Sequence, residues 1–464
     1  MTLLSSRRFV FGTALILFGL APLLNGQVAG TSNSAFGAVG NTLTPPADTQ
    51  ETLRFVLILS RHGVRSPTGK QTQYDAYSAA PWPQWSVAPG DLTAHGFRLM
   101  ELFGAYDRMK LSQEGLFNAT GCEDASKVTF YADSDQRTQE TGKALAQGLF
   151  PGCNVPVRSL AQGANDTLFH PNPAKFGPEE TSLATAAISG RIGNNIANLT
   201  EAYRAQLASL DKLLATCGAS SGLQGGAQGG LPRKRVSLFD VPSSLIPGRS
   251  DHLAELRGPL NTASTLVENL LLEYTEGMPV SSVGWGCVSG GELRSLINLH
   301  TAATDYTQRT KAVARVQASN LLEHILESME QAATDRPVTG AISRPADRAL
   351  FLIGHDTNLA NIAGLLDLNW IADGRRDDTP PGGALVFELW MNRKDGTYNV
   401  RTYFTAQTLE QMRSGTELTL ANPPERVPVL LPQCGREDFS CAWPEFKKSL
   451  RDTIDPRHVE LRRR

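Results

Sequence analysis

Three short apolar runs in this chain stop abruptly at charged residues. Residues 55–59, Phe-Val-Leu-Ile-Leu, are continuous and rich in strand formers, the pattern of a strand buried on both faces of a parallel sheet. Residues 350–353, Leu-Phe-Leu-Ile, repeat it, and residues 127–132 predict a third strand, followed by a helix over 138–149. Thr93 suits the N-cap of a further helix. Apolar residues recur at helical spacing through 183–214 and 260–274, and 292–309 and 312–333 also read as helices. Residues 384–390 and 398–405 alternate as strands of an antiparallel edge. The stretch 217–232 is rich in Gly, Ser and Gln and reads as a surface loop, with Arg233-Lys234-Arg235 solvated beside it.

These patterns divide the chain. Residues 50–175 and 300–464 make an α/β domain, and 176–299 make a helical cap inserted into it. Residues 1–38 stand apart: Ser6-Arg7-Arg8 leads into an apolar stretch broken by Gly19 and Pro22, then small residues. This is a signal-peptide layout, with paired arginines like a twin-arginine export signal. The stretch is short for a spanning helix, although a retained anchor is the alternative. The tail 462–464 reads as solvated.

The ends of the strands carry the chemistry. Residues past the carboxyl end of a strand in an open α/β sheet sit in the ligand crevice. The first strand ends Arg61-His62-Gly63-Val64-Arg65-Ser66-Pro67. Two guanidiniums flanking an imidazole suit a phosphate: arginine offers a planar fork of donors, and the histidine lone pair can attack phosphorus. The 350–353 strand ends Gly354-His355-Asp356-Thr357-Asn358. Side by side, the two strands would bring His62, His355 and Asp356 together. Phosphate transfer needs such a set: a nucleophile, cations for the oxygens, and an acid for the leaving group. Arg137, at the turn between the third strand and its helix, reads as a third phosphate-binding arginine, with an ion pair to Asp133 or Asp135 as the alternative.

Arg61-His62-Gly63-x-Arg65-x-Pro67 with a distant His355-Asp356 resembles the signature of the histidine acid phosphatases, in their bacterial periplasmic phytase and acid phosphatase branch. Residues 354–361, 378–383 and Ala132-Asp133-x-Asp135-x-Arg137-Thr138 extend the likeness from about residue 50 to about 445. The resemblance implies a phosphoglycerate-mutase-like α/β fold with a mostly parallel sheet flanked by helices, and a helical cap that roofs the pocket. It implies His62 as nucleophile, Asp356 as proton donor, and Arg61, Arg65, Arg137 and His355 on the phosphate. Thr68, Lys70, Asp133, Thr265, Glu268, Arg309 and Thr357 match substrate contacts, although Gly69 is inserted beside Lys70. It also implies disulfides Cys122–Cys153 and Cys434–Cys441. Cys217 and Cys287 either pair or leave one thiol free.

Composition narrows the partners. The chain has 464 residues, 41% hydrophobic and 19% charged, with a formal charge of −2. That charge makes no electrostatic case for nucleic acid or an anionic membrane. Six cysteines with an export signal fit a periplasmic or secreted protein. Eight histidines are scattered without CxxC or zinc-ligand spacing, so no metal or cofactor is expected. The reading is metal-independent phosphomonoester hydrolysis on the acidic side of neutrality, with phytate as substrate by resemblance, in a monomer. The alternatives are a broad acid phosphatase or glucose-1-phosphatase, and, from another class, a non-catalytic phosphate or inositol-phosphate binder.

Overall fold

The computed structural model describes residues 50–218, 235–249 and 252–460. The signal segment 1–38, most of the 217–232 loop, Arg233, Lys234 and the tail 462–464 lie outside the described residues. At the centre is strand β1 (Glu51–Arg61). Beside it run β2 (Val128–Ala132), β3 (Val157–Arg158), β4 (Ala349–Gly354), β5 (Ala384–Asn392), β6 (Tyr398–Ala406), β7 (Glu425–Pro428) and β8 (Ser440–Ala442). The sheet is mixed. Its order is β7-β6-β5-β1-β4-β2-β3, with β8 also on β6. Strands β1, β4, β2 and β3 are parallel, and β5 to β8 pair antiparallel.

Alternation sends β1 into two cores. Phe55, Leu57 and Leu59 pack in one with Leu321, Leu322 and Ile325 of α7 (Lys311–Thr334) and Leu359 and Ile362 of α8 (Asp356–Leu366). Val56 and Ile58 pack in the other with Met100 and Phe103 of α1 (Ala94–Gln113) and Leu145 and Leu149 of α2 (Gln136–Leu149). Helices thus cover both faces, which is why β1 and β4 read as unbroken apolar runs.

The 183–214 pattern is broken. It forms α3 (Pro178–Arg191), a short helix Ala197–Ala202 and α4 (Arg204–Thr216). Gly193 and Asn194, both at positive φ, make the turn between the first two. Helices α5 (Pro259–Thr275) and α6 (Gly290–Thr307) follow. The loop 367–383 carries a two-residue hairpin, Ile371–Ala372 with Arg375–Arg376. Leu207, Leu210, Leu266, Leu270 and Leu296 form a third core that also takes Val64, Tyr74 and Trp82 from the segment after β1. The helical region is therefore packed directly against the loop that carries His62.

That loop is pressed onto α1. A Cβ on Gly96 would lie 2.1 Å from the Val64 carbonyl oxygen, and one on Gly63 would lie 2.8 Å from Met100 Cγ. No larger residue fits either position. Thr93 caps α1 by accepting from the Gly96 N–H.

All six cysteines are bridged: Cys122–Cys153, Cys217–Cys287 and Cys434–Cys441. The second pair, left open by the sequence, ties the end of α4 to the approach to α6 across 70 residues. Replacing both with serine is expected to lower the unfolding free energy by about 4 kcal/mol in a urea titration, the loop-closure entropy of so long a span.

Candidate functional site

The three parallel strands end level. Arg61 of β1 sits opposite Gly354, and Ile353 of β4 is opposite both Ser60 and Ala132. Their backbones stay bonded one residue further: His62 N–H to Gly354 O at 3.0 Å, and Asp133 N–H to Ile353 O at 2.9 Å. His62, His355 and Asp133 therefore leave the sheet side by side, and the two catalytic-candidate imidazoles stand 5.7 Å apart.

The side chain of Arg61 is fully buried and carries two acids. It pairs with Glu268 and lies 3.2 Å from Asp356 Oδ2, and it donates to the Thr379 carbonyl at 2.6 Å. Arg65 reaches the same Glu268 oxygen at 3.4 Å. Glu268 comes from α5, so a carboxylate of the helical region lies where two guanidiniums converge. His300 Nε2 is 3.7 Å from its other oxygen. Burial alone would raise Glu268, but Arg61, His300 and Arg65 outweigh it and hold the carboxyl below its usual range. Arg137 pairs with Asp135 at 2.5 Å and stands 3.4 Å from His355 Nδ1. The ion-pair alternative for Arg137 is thus realised with Asp135, while its guanidinium also faces His355. Arg61, Arg65 and Arg137 each keep a buried Nε–H without an acceptor.

His62 is 2% exposed. Its Nδ1 donates to the Gly63 carbonyl at 2.8 Å, which leaves the lone pair on Nε2. Burial, then the charges of Arg137, Arg61, Arg65 and His355, hold it well below the usual imidazole range. The ring is therefore neutral, and nucleophilic, in acid where a free histidine is protonated. Asp356 opens α8 and accepts from the Thr357 N–H at 2.7 Å. Burial would raise its carboxyl, but Arg61, His300, Arg65 and His355 keep it well below the usual range. Before substrate arrives it is an anion.

His355 is fixed through Asn358. Asn358 Oδ1 accepts from the His355 N–H at 2.8 Å, and its Nδ2 donates to the Phe169 carbonyl at 2.6 Å. The His355 ring places Nε2 2.6 Å from Asp133 Oδ2. His170 Nε2 meets the same oxygen at 2.8 Å. These three donors lie within 4.8 Å of one another, but they are joined by hydrogen bonds and flanked by the Arg137 cation, so we read them as a hydrogen-bonded unit rather than as metal ligands.

The structure brings His62, Asp356, Arg61, Arg65, Arg137, His355, Asp133 and Glu268 into one crevice. Thr68 reaches its edge: its Cγ2 and Arg137 Nη1 lie 3.4 and 3.6 Å from the same point beside Gly90. Thr265 is exposed, one turn before Glu268 on α5. Lys70 is exposed at the start of a short helix, Gln71–Tyr74, and Gly69 is tied to the Tyr74 hydroxyl at 2.7 Å. Trp82 packs edge-on to Trp285 at 4.9 Å. Arg309 is placed elsewhere. It donates to Leu368 O at 2.5 Å and Asn369 Oδ1 at 2.9 Å, beyond the C-terminus of α8 and about 16 Å of helix away from Asp356. Its expected substrate contact is corrected to a structural one, with the guanidinium over Trp370. His170 and His300 carried no motif and are added by the fold; Asn358 and Thr379 lay inside matched stretches and gain their contacts from it.

The profile of the histidine phosphatase superfamily (branch 2) matches residues 52–210 and 273–405. The chain is 34% identical over 417 residues to phytase AppA of Escherichia coli (strain K12), covering 89% of this chain and 93% of that protein. It is 28% identical to a glucose-1-phosphatase of Providencia rettgeri, covering 86% and 91%. In structure it is similar to the Hafnia alvei phytase solved with tartrate, at 33% identity and a TM-score of 0.79, covering 89% of this chain and 100% of that one. The same phytase has been solved with myo-inositol hexakis sulphate.

Proposed function

Because the chain belongs to the histidine phosphatase superfamily, branch 2, we propose that it hydrolyses phytate stepwise through a phosphohistidine on His62. One observation carries the mechanism: a buried His62, pushed toward its neutral form, faces Arg61, Arg65 and Arg137, and Asp356 lies on the Arg61 guanidinium. The arginines and His355 hold the phosphate oxygens. His62 Nε2 attacks phosphorus in line, and Asp356 protonates the departing oxygen. Water then attacks the phosphohistidine, with Asp356 taking its proton.

The acid has to be charged with a proton first, since Asp356 is an anion in the free enzyme. Phosphomonoesters lose their second proton at a pKa of about 6. Below that pH the monoanion arrives with a proton and adds negative charge beside Asp356, so the proton can pass to the carboxylate. This supports activity on the acidic side of neutrality. The arginines supply the charge a divalent cation would bring, so no metal is required.

Phytate is favoured over a small ester by the likeness to phytases. The glucose-1-phosphatase likeness supports the second reading, the same chemistry under a differently shaped roof. We assign residues 176–299 as that roof, contributing Glu268 and Thr265. Three disulfides and the signal-like sequence of residues 1–38 support an exported bacterial protein, periplasmic or secreted. Among the described residues no helix is long and apolar enough to cross a membrane.

The test is phosphate release at about pH 5, with EDTA present, from phytate, glucose 1-phosphate and p-nitrophenyl phosphate. Phytate is expected to give the highest kcat/KM, EDTA to leave it unchanged, and the rate to fall as the pH rises past about 6. Turnover of small esters alone would keep the chemistry and remove the phytate assignment. Binding of phosphate with no turnover would make the protein a binder.

A further inference from the structure

His170 belongs to no motif, yet it shares a carboxylate oxygen with His355. Asp133 Oδ2 lies 2.8 Å from His170 Nε2 and 2.6 Å from His355 Nε2. The two rings are 5.3 Å apart. Asp133 Oδ1 is buried without a partner, so both imidazoles draw on one oxygen of a single negative charge.

This arrangement sets what His355 can do. With its Nε2–H directed at Asp133, neutral His355 turns the lone pair of Nδ1 toward Arg137 and the oxyanion site. A lone pair repels a phosphate oxygen. Only the imidazolium can donate from Nδ1, so gripping an oxyanion requires His355 to hold a second proton. The groups facing the ring divide by sign. Asp133, Asp135 at 3.7 Å from Nε2, and the neighbouring Asp356 carboxylate favour that cation. Arg137 opposes it, as does any proton gained by His170 or by His62 across the crevice.

We propose that His170 is a positioning residue that, by sharing the Asp133 carboxylate, sets the highest pH at which His355 grips an oxyanion. This rests on reading the crevice as a phosphate site. The electrostatics agree. Burial would raise Asp133, but its bonds to His170 and His355 outweigh burial and keep it ionised. Burial and Arg137 together push His355 down against its Asp133 bond. His355 is buried with 7% side-chain exposure, whereas His170 has 33%. The partner nearer solvent thus competes for the charge that the inner one needs.

Inorganic sulfate is the probe, because it keeps its double charge across the working range and any pH dependence belongs to the protein. Its dissociation constant is measured by calorimetry from acid to mildly alkaline pH. In the unaltered protein, binding should weaken by at least tenfold per pH unit above the His355 midpoint, the slope for one linked proton, with any proton taken up by Asp356 adding to it. His170→Asn, which releases Asp133 to His355, should move that midpoint up by about one unit. His170→Lys, which puts a fixed cation on Asp133, should leave it at or below the unaltered value. A pH-independent dissociation constant in the unaltered protein overturns the proposal, and that arm needs no variant to fold. So does an unmoved midpoint in His170→Asn, or the same upward shift in both variants. Sulfate that fails to bind at all in acid removes the phosphate-site reading with it. Normal sulfate binding with unmoved midpoints removes only the role of His170.

Discussion

His62→Ala is expected to lower kcat by about 10⁴-fold or more on every phosphomonoester the enzyme accepts. Among the described residues, the ring faces Arg61, Arg65 and Arg137 with its Nε2 lone pair free, whereas His355 Nε2 is engaged by Asp133. Alanine leaves those arginines, and the Glu268 and Asp356 pairs on Arg61, untouched. Sulfate should therefore still bind. The decisive measurement is a rapid quench into alkali, where phosphohistidine survives. The unaltered enzyme should trap phosphate on protein in the first turnover, and His62→Ala should trap none. Trapped phosphoenzyme in the variant would put the nucleophile elsewhere.

The second large effect is expected at Asp356, and here the substrate decides its size. Asp356→Asn removes the proton donor but keeps the shape and the Thr357 contact. For a sugar or inositol oxygen, a poor leaving group, kcat should fall by about 10²–10⁴-fold. For p-nitrophenyl phosphate, whose phenolate leaves as a stable anion, the first step needs little protonation and the loss should be at least tenfold smaller. The pH profile should change too. In the unaltered enzyme, Asp356 is held as an anion by Arg61, His300, Arg65 and His355 despite its burial, and it gains its proton only with substrate. That requirement favours acid pH for inositol phosphates, and Asn at this position should flatten the dependence. An equal loss on both substrate classes would exclude Asp356 as the acid.

The proposed catalytic pair was readable in the sequence for a physical reason. An apolar run covered on both faces has no polar residue until it leaves the sheet, so Arg61-His62 and His355-Asp356 mark the ends of β1 and β4. The parallel pairing of those strands then fixes how far apart the marks fall. Arg137 was readable because it begins a helix directly after a strand. Arg309 misled because an arginine at a helix end looks the same whichever way it faces. Here Gly364 of α8 packs against its backbone and directs the side chain to Asn369. His170 left no trace, since its tie to Asp133 spans 37 residues with no periodic pattern. Cys217–Cys287 was undecided for a similar reason. A 70-residue span through the helical region is visible only once α4 and α6 are packed.

The level ends of β1, β4 and β2 carry one more consequence. A slip of one residue in either pairing would move a histidine by about 3.3 Å along its strand and turn it to the opposite face. No partly aligned sheet holds a partly working centre. Turnover is then an all-or-none readout of strand alignment, and activity returns after denaturation only once β4 has docked in register between its neighbours.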